Sequence, residues 1–81
     1  MTVTVRLFAS MADAGGREPI VLRVPAGTPV GAVWALLPDV VRRGGPPPQG
    51  VRWAVNREFA IPGAPLRDGD EVAVIPPVSG G

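Results

Sequence analysis

The chain contains no cysteine and no histidine, and its eight basic residues are all arginine. Without Cys there is no disulfide framework, no thiolate nucleophile and no Cys-ligated zinc. Without His there is no Ser–His pair and no ordinary imidazole base. Without Lys there is no Schiff base and no internal acceptor for another protein modifier. No apolar run approaches the roughly 20 residues that span a bilayer. Met1-Thr2-Val3-Thr4 lacks the charged-then-apolar layout of a signal peptide. The net charge is only +1, so the electrostatic footprint of a nucleic-acid binder is missing. These absences predict a cytoplasmic protein with no nucleic-acid partner, no membrane partner, no metal site and no side-chain nucleophile.

What is present is one small domain of 81 residues, 46% hydrophobic, with an unusual end. Gly80-Gly81 follows directly on the stiff run Ile75-Pro76-Pro77-Val78-Ser79. Two residues without Cβ can be threaded, extended, into a slot too narrow for any other side chain. Pro76 and Pro77 keep the approach extended and cannot rejoin a sheet ladder. Six residues reach at most about 20 Å, at about 3.3 Å each. The main-chain carboxylate of Gly81 is therefore the expected reactive group. The expected division is a folded body over residues 1–75 and an extended tail over 76–81.

Along the body, Val3, Val5 and Leu7 alternate with Thr2, Thr4 and Arg6, which predicts a half-buried strand. Residues 11–18 hold Gly15-Gly16 and small side chains, and read as a connecting loop. Ile20, Leu22 and Val24 predict a second strand, antiparallel to the first. Thr28 is expected to cap a helix with Pro29 at its first position. Val30, Val33, Trp34 and Leu37 then share one helix face, and Pro38 ends it. Gly44-Gly45-Pro46-Pro47-Pro48-Gln49-Gly50 reads as loop. Val51, Trp53 and Val55 predict a third strand, Phe59-Ala60-Ile61 a short edge strand, and Glu71 to Ile75 the last. Leu66 is a candidate core plug between them.

The order ββαβ(β)β leaves one main helix to cover one face of a mixed sheet of four to five strands. Pairing the first and last strands in the centre buries the two most apolar segments. That α+β architecture is the β-grasp, or ubiquitin-like, roll.

Other constellations have simpler readings. Asp68, Asp70 and Glu71 around Gly69 lack the ligand ladder of a calcium loop and read as a solvated turn. Gly15-Gly16 and Gly44-Gly45 lack phosphate-loop spacing. Trp34 and Trp53, with no basic stripe beside them, read as core rather than as a base-stacking platform. The outer sheet face is different. Phe8, Ala54, Ala73 and Ile75 fall on the phase opposite to the core, where a water-facing sheet normally shows polar residues. An apolar patch beside a projecting tail predicts a partner-docking surface.

Leu7-Phe8-Ala9, Ala54-Val55-Asn56, Pro65-Leu66, Asp68-Gly69-Asp70-Glu71-Val72-Ala73 and Pro76-Pro77-Val78-Ser79-Gly80-Gly81 together resemble the small subunit of molybdopterin synthase. That family is also called molybdopterin converting factor subunit 1, of the MoaD/ThiS sulfur-carrier superfamily. The resemblance covers the whole chain and is most specific in its C-terminal third. The proline- and glycine-rich 44–50 loop and the lack of Lys depart from the family pattern.

The resemblance implies a carrier with no permanently bound cofactor, not an enzyme on its own. A ubiquitin-activating-like adenylyltransferase would use ATP to adenylate Gly81, whose carboxylate is ionised because free α-carboxyls titrate near about 3.5. A sulfur donor would convert the adenylate to a thiocarboxylate, leaving covalent sulfur at Gly81. Pro76, Pro77, Val78, Ser79 and Gly80 would enter the large catalytic subunit, and Phe8, Ala54, Ala73 and Ile75 would grip partners. Sulfur would pass to cyclic pyranopterin monophosphate, within a heterotetramer carrying two small subunits. A carrier for thiamine, cysteine or a tungsten cofactor, a protein modifier joined through Gly81, and a noncovalent binding module are the alternatives.

Overall fold

Alternation of Thr with Val at the start of the chain produces β1, Thr2–Leu7, which buries Val3, Val5 and Leu7 on one face. The computed structural model describes residues 1–8, 11–13, 16 and 18–77. Four further strands follow: β2 (Ile20–Arg23), β3 (Arg52–Val55), β4 (Glu58–Ala60) and β5 (Glu71–Ile75). They form one mixed sheet in the order β2-β1-β5-β3-β4. β1 and β5 pair in parallel at the centre, with Val5 opposite Val72 and Leu7 opposite Val74. The other three pairings are antiparallel. This is the β-grasp roll, with five strands.

Val30, Val33, Trp34 and Leu37 all turn into the core, as their spacing predicts. The helix that carries them, Val30–Leu36, is wound as a 3₁₀ helix. Its two ends account for its shortness. Pro29 is extended, at φ −64° and ψ 144°, and bridges to Pro65. Leu37 is forced extended, at ψ 156°, by Pro38 behind it. Thr28 does not cap this helix; its hydroxyl donates to the Pro25 carbonyl at 2.7 Å and closes a turn instead. A four-residue helix, α1 (Asp39–Arg42), follows Pro38 and buries Val41.

The core gathers the inner faces of β1, β3 and β5, the helix face and Leu66. Both tryptophans belong to it, at 7% and 4% exposure, so neither is a stacking platform. Met11 is buried too, and residues 11–13 are helical. The expected loop over 11–18 therefore supplies a core side chain, as far as its described residues go. Among the described residues no polar or charged side chain is buried.

The acidic turn after Leu66 is structural. The Asp68 carboxylate accepts from the Thr2 N–H at 2.7 Å. The Asp70 carboxylate accepts from the Arg67 N–H at 2.7 Å and from the Asn56 side-chain amide at 2.9 Å. These bonds tie the turn to the start of β1 and to the end of β3. Among the described residues, no group of three His, Cys, Asp or Glu could hold a metal ion.

Two substitutions test this core. Leu66→Ala removes a side chain that is 2% exposed and should lower unfolding free energy by about 2–5 kcal/mol in urea titration. A Cβ at Gly31 would stand 3.0 Å from Pro62 Cβ and 3.2 Å from its carbonyl oxygen. Gly31→Ala should therefore destabilise by about 1–3 kcal/mol, whereas Gly63→Ala, with open space around it, should change little. Equal effects at the two glycines would show that the helix does not abut Pro62.

Candidate functional site

The outer face of the sheet is built by the residues that alternate with the core. In register, Arg6 stands opposite Ala73, Ala73 opposite Ala54, and Ala54 opposite Phe59, so one row crosses four strands. Its two middle members are alanines. Their short side chains leave a floor, while Phe8, Ile75 and Phe59 rise around it. The result is an open concavity of about 570 Å³ lined by all four sequence-predicted docking residues, Phe8, Ala54, Ala73 and Ile75.

Four more residues line it that the sequence reading did not assign to the site: Arg6, Arg57, Phe59 and Glu71. Phe59 was placed on the edge strand without its facing being worked out. Counting across the two-residue turn 56–57 puts it opposite Ala54, which is the signal that could have found it. Its ring is 69% exposed, a large apolar surface left to water on an edge strand. The Arg52 guanidinium lies over that ring at 5.3 Å from its centroid. Arg6 donates to the Glu71 carboxylate at 3.0 Å across the central pair. Both partners are well exposed, so the bond orients side chains more than it stabilises, at about 0–1 kcal/mol. With Glu71 engaged by Arg6, the guanidinium groups of Arg52 and Arg57 leave this face cationic around an apolar centre.

Arg57 is strained. Asn56 and Arg57 take φ values of 51° and 70°, the left-handed pair that a tight hairpin turn requires. Asn tolerates that region; Arg does so only at a cost. A turn that folding alone would give to Asn-Gly here carries a guanidinium on the rim of the concavity.

The tail root lies at the opposite end of the sheet from the 56–57 turn, which stands beside the start of β5. Because β1 and β5 run in parallel, Phe8 and Pro76 both follow the ends of their strands. Pro76 is half-buried, and Pro77, exposed, is the last described residue. Val78, Ser79 and Gly80, expected in tail insertion, and Gly81, expected to react, lie outside the described residues. Among the described residues no helix is long and apolar enough to cross a membrane.

The model of the ThiS family matches residues 5–81. The chain belongs to the ThiS family. Solved structures resemble this ThiS-family chain across nearly its whole length. Small archaeal modifier protein 1 of H. volcanii is 26% identical over 95% of this chain and 98% of its own, with a TM-score of 0.78. A putative molybdopterin converting factor subunit 1 from Pyrococcus furiosus is 26% identical over the same shares, with a TM-score of 0.74. The complex of subunits 1 and 2 of the molybdopterin-converting factor from Helicobacter pylori contains a chain 23% identical over 100% of both, with a TM-score of 0.65, which shows the shared fold. The architecture is thus shared with an archaeal modifier protein and with a putative molybdopterin converting factor subunit.

Arg57→Gly relieves a left-handed Arg, and should leave the fold as stable or more stable by up to about 1 kcal/mol, read as a raised thermal midpoint. A clear loss of stability would show that Arg57 is held there by contacts within the fold rather than kept for the face it lines.

Proposed function

We propose that this ThiS-family chain is a sulfur carrier of molybdopterin synthesis, acting through the carboxylate of Gly81. One observation supports this above the others: an apolar concavity with Arg57 on its rim lies across the outer face of the sheet, and Phe8 and Ile75 in its lining stand beside the tail root. A partner seated there holds the body while the tail enters its active site. The rim favours a partner surface with apolar side chains edged by carboxylates.

The chemistry needs nothing from the body's side chains. A carboxylate oxygen of Gly81 attacks the α-phosphorus of ATP, held by a ubiquitin-activating-like adenylyltransferase, and pyrophosphate leaves. Hydrosulfide (HS⁻), released by a sulfur donor, then adds to the acyl carbon. AMP departs with the carboxylate's former oxygen, and a thiocarboxylate remains. In the large catalytic subunit of the synthase, this sulfur attacks a carbon of cyclic pyranopterin monophosphate and displaces the oxygen bonded there, forming a thioester. Water cleaves the acyl–sulfur bond and returns the carboxylate. A dithiolene holds two sulfurs, so two charged carriers serve each product, which suits a heterotetramer with two small subunits. On this reading Gly80 and Ser79 supply reach, Val78 follows, and Pro76 and Pro77 aim the tail. All of it takes place in the cytoplasm, where ATP and the partner enzymes are found.

The likeness to small archaeal modifier protein 1 favours a second reading, a protein modifier joined through Gly81 to lysines elsewhere. Carriage of sulfur to thiamine, cysteine or a tungsten cofactor shares every step up to the thiocarboxylate.

Intact mass after incubation with the cognate activating enzyme, ATP and a sulfur donor is the test. A gain equal to exchanging one oxygen for sulfur, absent without ATP, is expected. An unchanged mass, with the enzyme active on a control carrier, would sink the carrier reading. Gly-Gly remnants on cellular lysines after proteolysis would select the modifier. Removing Gly81 should abolish the gain. Gly80→Ala should slow sulfur delivery by about tenfold to a hundredfold with the fold intact.

A further inference from the structure

We propose that the 44–50 loop is a strut that sets the direction in which the tail leaves the body, with Gly50 as its positioning residue and Pro77 as the residue it braces. The ladder between β3 and β5 ends at the pair Arg52–Ile75. Continuing that register by two residues brings Gly50 opposite Pro77. Neither Pro76 nor Pro77 has an N–H to donate, so hydrogen bonding stops there. Packing takes its place. Gly50 is left-handed, at φ +88°, and a Cβ on it would meet Pro77 Cβ at 3.2 Å and Cγ at 3.9 Å. The proline ring lies on the bare face of the glycine.

The loop that presents Gly50 is tied to the body. The Trp34 indole N–H, in the core, donates to the Gly45 carbonyl at 2.9 Å. The Gly45 N–H donates to the Arg42 carbonyl at 3.0 Å, and the Val51 N–H to the Pro48 carbonyl at 3.1 Å. Between these ties, Pro46, Pro47 and Pro48 each hold φ near about −65° and stiffen the span. The path therefore runs from the helix through Trp34 and the prolines to Gly50, and from Gly50 to the tail root. Pro76 and Pro77 are equally stiff, so a tilt at Pro77 is magnified over the four residues beyond it, a reach of at most about 13 Å.

The geometry carries the brace itself; its effect on sulfur transfer rests on the carrier reading above. The test is a double-mutant cycle of Gly50→Ala and Pro77→Gly, read as kcat/KM for the ATP-dependent mass gain, with thermal midpoints taken in parallel. Gly50→Ala should lower kcat/KM by about tenfold or more, and should have little further effect once Pro77→Gly has removed the ring it pushes. A loss of the same factor in both backgrounds would assign the effect to the left-handed backbone alone and overturn the brace. So would a folded Gly50→Ala variant with wild-type kcat/KM. If Gly50→Ala does not fold, a nuclear Overhauser contact between Gly50 Hα and Pro77 Hβ in the unsubstituted chain decides: its presence is expected, and its absence overturns the proposal. If the unsubstituted chain gains no mass, the carrier reading fails by itself. The same cycle, read from the amide shifts of Ser79, Gly80 and Gly81, then judges the brace alone.

Discussion

The parallel ladder between β1 and β5 sets Val5 against Val72 and Leu7 against Val74, all four facing the core. Every other pairing hangs on it: β2 on the free side of β1, β3 on the free side of β5, and β4 on β3. Because the two strands point the same way, the residues after them, Phe8 and Pro76, come out together. The outer face and the tail root are thus neighbours through topology rather than through any direct bond. The same parallel pair places the Arg6–Glu71 contact across the centre of the concavity.

Period-two alternation was enough to read β1, β2, β3 and β5, because in each one face is more deeply buried than the other, or, in β3, begins so. It also placed Phe8, Ala54, Ala73 and Ile75 on one outer face, where they line the concavity. The i, i+3, i+4, i+7 spacing identified the buried face of the helix but not its winding. Two prolines and a sheet bridge confine it, and those are tertiary facts. Thr28 was misread for a related reason: Pro29 is drawn into a bridge with Pro65, so the helix begins one residue later and the hydroxyl is left to the turn. Met11 escaped notice because a single apolar residue among small ones has no period. Phe59 and Arg57 escaped because their facing depends on the turn 56–57, which lacks the Gly that would have marked it. The expectation for residues 78–81 rests on composition and resemblance and lies outside the described residues.

On the proposed function, the work is divided between an apolar face of the sheet and the carboxylate of Gly81. Nothing among the described residues offers a catalytic side chain, and the body's polar bonds serve its own turns. On the proposed function, specificity would come from shape and from the guanidinium of Arg57, held in the left-handed region at the 56–57 turn. The loop of residues 44–50 joins this picture as part of the body's frame, since Trp34 holds one end of it and Pro77 rests on the other.

The central ladder also orders events during synthesis. β1 is the first strand made and β5 the last, so contacts between them span nearly the whole chain and form late. Until Glu71–Ile75 has emerged, β1 has no neighbour on one side and the floor residue Ala73 is not in place. The proposed docking residues Phe8, Ala73 and Ile75 therefore stand together only in the finished molecule. The proposed handle and the completed fold are the same object.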